Sequence, residues 1–182
     1  LHYYSELLPR LLLRAFGIVL QVKKREASVP NPVLVVSRHA NAYYCAGFTP
    51  SVTAGLSLRL PEGAPLFTGL ETELADGCST WRMPKAWRRE CRVFVEQERG
   101  EVSCREIPSG MVGVTRRLLL HGLKDATARF LPVPGTEERV AILRNPEPPY
   151  LVGDFAKPVR EERATGTALR VDKVTGSLLI SW

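Results

Sequence analysis

Residues 109–131 read SGMVGVTRRLLLHGLKDATARFL, and Val112, Leu119, Leu123, Ala126 and Phe130 recur there at steps of seven, four, three and four. That spacing is one apolar face of a helix with about 3.6 residues per turn. Ser109 stands where an N-cap belongs, and Pro132 and Pro134 follow the end. The pattern predicts one main helix, laid by this face on a sheet.

Residues 1–25 carry few polar positions. From Pro9 onward Arg10, Arg14 and Gln21, with Gly17 between them, put a narrow polar stripe on an otherwise apolar helix. Pro9 falls in its first turn, where a missing N–H costs nothing. Arg14 interrupts the apolar stretch well short of the roughly 20 residues that a membrane span needs. Two coverings remain for this helix: the domain core or a partner, or a membrane interface where Lys23, Lys24 and Arg25 meet anionic lipid headgroups.

Strand patterns fill much of the rest. Residues 32–37 are continuous, branched and apolar, as in a strand buried on both faces. Residues 42–48 and 52–60 are further strands, the second placing Leu56, Leu58 and Leu60 on one side and Ser57 and Arg59 on the other. A turn at 61–65 leads to a short acidic helix at 66–75 containing Glu71 and Glu73. Residues 91–98 and 101–107 pair as a hairpin about Arg99-Gly100, residues 139–143 form another strand, and 145–149 is a Pro-rich turn. Residues 166–173 and 176–182 alternate around Thr175-Gly176 and read as a C-terminal β-hairpin. The class is α+β: a mixed or antiparallel sheet with one main packed helix, an apolar N-terminal helix and a C-terminal β-hairpin. Three parts follow: the N-terminal helix at 1–26, an α+β core at 27–145, and the Pro-rich turn with its hairpin at 146–182.

Charge adds a candidate surface. The formal net charge is +6, and among the 25 basic residues only Lys23, Lys24, Lys85, Lys124, Lys157 and Lys173 are lysines. Arginine keeps its charge and offers a planar fork of donors, suited to phosphate, lipid headgroups and protein interfaces. A GC-rich coding sequence gives the same bias with no function attached. Residues 78–92, CSTWRMPKAWRRECR, concentrate Trp81, Arg82, Lys85, Trp87, Arg88, Arg89 and Arg92 around Glu90 in a basic, aromatic loop. Such a loop stacks on and neutralises nucleic acid, or supplies hot spots to a protein interface, or is anchored to the core by its tryptophans. Acidic residues at 71–76 and 96–106 flank it, and no RRM, KH or zinc-finger signature accompanies it.

Little in the chain points to catalysis. Cys45, Cys78, Cys91 and Cys104 form no CxxC pair, so buried free thiols in a reducing compartment are expected and no metal site is. His39 closes the first strand near Ser37 and Cys45, but a catalytic base needs an orienting carboxylate. The His-x4-Asp pair of glycerolipid acyltransferases would place Asp where this chain has Tyr44, and no Asp or Glu lies between Glu26 and Glu62. P-loop, HExxH and GxSxG motifs are absent, as is a GxGxxG following a strand, and no cofactor is implied. Leu1 in place of Met, together with the arginine bias, fits a mature mitochondrial or other organellar protein. The expectation is a non-catalytic accessory or structural subunit that binds other protein subunits in a larger, membrane-associated assembly. The alternatives are a ribonucleoprotein component that binds nucleic acid through residues 81–92, and an enzyme with a site near His39.

Overall fold

The computed structural model describes residues 11–23, 32–49, 55–82, 84–109, 112–114 and 116–182. Its first strands are β1 (Val19–Lys23), β2 (Val33–His39), β3 (Ala42–Phe48), β4 (Gly55–Arg59), β5 (Ala64–Leu66), β6 (Glu71–Ala75), β7 (Cys78–Arg82) and β8 (Ala86–Cys91). They are followed by β9 (Val93–Glu96), β10 (Arg99–Glu106), β11 (Arg117–Phe130), β12 (Ala141–Glu147), β13 (Val152–Phe155), β14 (Val159–Glu161) and β15 (Ala168–Ser181). Among the described residues only 11–15 are α-helical, with a 3-10 turn at Glu137–Arg139.

β11 and β15, 14 residues each, pair antiparallel along their length and form the spine of a 12-stranded sheet. The free edge of β11 is taken first by β10, with His121 opposite Ser103, and then by β9, with Thr127 opposite Glu96. β12 and β14 flank β15 in the same end-to-end manner. The path of the sheet is β1-β4-β7-β6-β10-β11-β15-β12-β13, and β2-β3-β8 make a separate three-stranded sheet.

The fold is therefore all-β, and the main helix expected at 109–131 is strand β11. Bulges explain the misleading spacing. The register of β11 on β15 shifts between His121 and Leu123, between Leu123 and Ala126, and between Ala126 and Ala128. A bulge adds a residue to one strand and breaks the period of two. Leu118, Leu120, Leu123, Ala126, Ala128 and Phe130 consequently all reach one core cluster, with gaps of three where a flat strand would have two. Gly122 sits at φ +85 with the Glu101 carbonyl where a Cβ would be, so only glycine fits this bulge.

The expected C-terminal hairpin is corrected for the same reason. Gly176, at φ +96, marks a bulge opposite Leu123, and the strand runs straight on through it. The apolar N-terminal helix is cut short: Gly17 at φ +72 ends the helical residues, and the branched run Ile18-Val19 continues as β1 paired with β4. Residues 1–10 lie outside the described residues, as do Lys24 and Arg25 of the expected lipid contact. The acidic helix at 66–75 is strand β6, held between β7 and β10, and the loop at 78–92 contains strands β7 and β8. β9 and β10 do not form a hairpin, because β9 pairs with β5 and β11 while β10 pairs with β6 and β11.

Two main cores result. One gathers the inward residues of the spine with Leu74, Val93, Val95 and Val102. The other lies between the three-stranded sheet and the β1-β4-β7 wing, around Tyr43, Cys45, Leu56, Leu58, Phe67 and Trp81. A buried polar seam ties the small sheet to the large one. Arg38 donates to Glu62 at 2.5 Å and to Asn41 at 3.0 Å, and Asn41 donates to the carbonyls of Pro132 and Thr167.

Candidate functional site

β2 and β3 are joined by Ala40-Asn41, both at positive φ (47° and 56°), as a two-residue primed hairpin turn requires. The hairpin register and the pairing of β3 with β8 then assign every side chain to one of two faces. Leu34, Val36, Tyr43, Cys45, Trp87 and Cys91 point inward onto the second core. Three rows cross the outward face: Val33, Phe48 and Ala86; Val35, Ala46 and Arg88; Ser37, Tyr44 and Glu90. The first two rows are apolar except for Arg88. Val33, Val35 and Phe48 are 61%, 59% and 47% exposed. β2 thus has the composition of a strand covered on both faces, but only its inner face is covered.

The seven residues singled out between 81 and 92 divide sharply. Trp81 is buried, with its ring edge-on to Phe67 at 4.9 Å. Trp87 is half-buried, 5.6 Å from Phe67 and 6.0 Å from Trp81. Neither indole N–H has a hydrogen-bond partner among the described residues, and both rings pack into the second core. Arg92 is also buried: it donates to the carbonyls of Ala40, Asn41 and Leu131 and to Glu90 at 2.6 Å, locking the hairpin tip. Arg82, Lys85, Arg88 and Arg89 remain exposed, at and beside the β8 edge. Glu90 does little to neutralise them, being engaged by Arg92 and by Arg116 at 3.6 Å. The charge of the segment is on the surface and its aromatic rings are inside.

His39 and Cys45 are not brought together. His39 follows Val33, Val35 and Ser37 on the outward face, whereas Cys45 points inward. All four cysteines are free and buried. Burial pushes the thiols of Cys45 and Cys104 up to about 12 and that of Cys91 well above the ordinary range, which leaves them protonated and unreactive at neutral pH. Among the described residues no group of three or more His, Cys, Asp or Glu could hold a metal, and no helix is long and apolar enough to cross a membrane. Further exposed apolar side chains occur at Leu11, Leu12 and Phe16, and at Val152 and Phe155 on β13. Among the described residues, the outward face of β2-β3-β8 joins a regular apolar surface to one exposed cation, Arg88.

In the sequence this face is hidden, because a continuous apolar run such as residues 32–37 has the pattern of a core strand. The chain matches no family model, no curated protein and no solved structure.

Proposed function

We propose that the protein is a non-catalytic interaction module, an accessory subunit that docks into a larger protein assembly through the outward face of β2-β3-β8. One observation carries this reading: a strand as apolar as β2 leaves Val33 and Val35 about 60% exposed beside Phe48. Strands with apolar residues on both faces are normally covered on both, and contiguous exposed apolar patches mark interaction surfaces. Arg88 stands within the patch, and Lys85 is exposed just before β8. The complementary partner is therefore a protein surface with an apolar centre and carboxylates at its rim.

Native mass in the source extract tests the proposal. The wild-type protein is expected in a species far larger than its own 20.3 kDa, stable to nuclease. A variant carrying Val33→Thr, Val35→Thr and Arg88→Glu keeps its urea midpoint but leaves that species. A large species that retains the variant overturns the proposal, and so does a wild-type protein that runs alone. Collapse on nuclease treatment also overturns it, in favour of nucleic-acid binding through the exposed cations.

A further inference from the structure

A second surface, sharing no residue with the docking face, has the character of a ligand site. The turn at Gly69-Leu70 closes onto β10, the Gly69 N–H donating to the Cys104 carbonyl at 2.8 Å. Between this turn and strands β6, β10 and β11 lies a cleft of about 500 Å³ lined by Leu70, Glu71, Ser103, Arg105 and His121. That volume lies within the range of small-molecule sites.

Register explains why these side chains converge. Glu71 is opposite Ser103, and Ser103 is opposite His121, so the three form one row across β6, β10 and β11. Arg105 lies two residues along β10 and therefore shares their face. Diagonal neighbours on such a face have Cα atoms about 7–8 Å apart. Glu71 and Arg105, related in this way, are both exposed and make no ion pair with each other or with any other described residue. Glu71 also borders a second hollow of about 290 Å³ lined by Glu73, Glu101 and Arg82, in which Glu73 and Glu101 face each other across β6 and β10. That end carries three carboxylates against the single cation Arg82, and the other end carries Arg105. His121 is held below its ordinary value by burial and by Arg105, so it stands neutral on the far side of Ser103 from Glu71, diagonal to Arg105, with one N–H donor and one acceptor.

We infer that this cleft binds a small zwitterion, an amino carboxylate with its carboxylate on Arg105 and its ammonium on Glu71, Ser103 hydrogen-bonding between the two and His121 hydrogen-bonding beside Arg105. A simple anion on Arg105 would meet the field of Glu71, Glu73 and Glu101, and a simple cation on Glu71 would meet Arg105 and Arg82. A ligand that carries both charges satisfies both ends.

The test follows the His121 imidazole by NMR while the whole protein is titrated with ω-aminocarboxylates of increasing length, at constant ionic strength and pH. Acetate and methylamine serve as one-charge controls. One chain length is expected to give a saturable shift, with both controls at least about tenfold weaker. Arg105→Gln and Glu71→Gln should each weaken binding by about 10–100-fold, the usual worth of a charge-assisted contact. Both residues are exposed, so unchanged urea midpoints accompany those losses. The inference fails if no aminocarboxylate shifts His121 saturably, if acetate binds as well as the best of them, or if either variant binds like wild type.

Discussion

Both sheets have a second face, and the two are treated differently. Behind the spine, Leu119, Leu143 and Leu179 are buried under Ile107 and Tyr150. Arg117 holds this cover in place, donating to the carbonyls of Pro108 and Tyr150 from a buried position between the strands and the loops. Behind the three-stranded sheet, Val33, Val35 and Phe48 have comparable apolar character and no cover among the described residues. Apolar residues of the same kind are core in one place and contact surface in the other. The difference comes from what the chain folds back over them, which strand composition does not contain.

Breaking the covered face has the largest expected effect. Leu179→Ala removes a side chain that is 1% exposed and leaves a cavity between Leu119 and Leu143. Loss of about 3 kcal/mol is expected, within the usual range for a buried leucine, and a urea melt measures it as a lower midpoint at unchanged slope. Removing the device that holds the cover should cost somewhat less. Arg117→Ala strands two carbonyls and is expected to cost about 2 kcal/mol, with faster amide exchange in residues 148–151 as its particular sign. The open face should be nearly silent. Val35→Thr keeps the branched side chain in a strand and changes only its outward surface, so stability should stay within about 0.5 kcal/mol of wild type. If Val35→Thr instead costs as much as Arg117→Ala, the outward face is packed like the other and the contrast between the two collapses.

Several strands were legible because their apolar pattern, a continuous branched run at 32–37 and an alternation at 52–60, is uninterrupted. β2, β3 and β4 lie where the apolar pattern places them, and β12 begins within the expected strand. β11 reads as a helix because its bulges insert steps of three into the inward-facing set, and β15 reads as a hairpin because the glycine of its bulge, Gly176, has the look of a turn. A linear pattern cannot separate such steps from helical ones, since only the partner strand shows that an extra residue bulges outward. β6 failed for a different reason. ETELA is short and rich in good helix formers, and pairing with β7 and β10 on both edges overrides that local preference.

The candidate surfaces divide along the same line. The cations of residues 82–89 were visible as a run, but the sequence grouped them with Trp81, Trp87 and Arg92, which the fold draws inward. Glu71, Ser103, Arg105 and His121 were not legible as a site. They belong to three strands, and only the register of those strands brings them to one cleft.

By itself the sequence determined the inward sets of the regular strands, the burial of cysteines that lack close partners, and the excess of arginine that must find carbonyls, carboxylates or solvent. Tertiary structure alone decided that the longest apolar pattern is a bulged strand, which of two apolar faces is covered, and which polar residues meet. The physical reason is common to all three: side-chain periodicity is a local property of the backbone, whereas bulges, covers and cross-strand rows exist only where two distant segments have already paired.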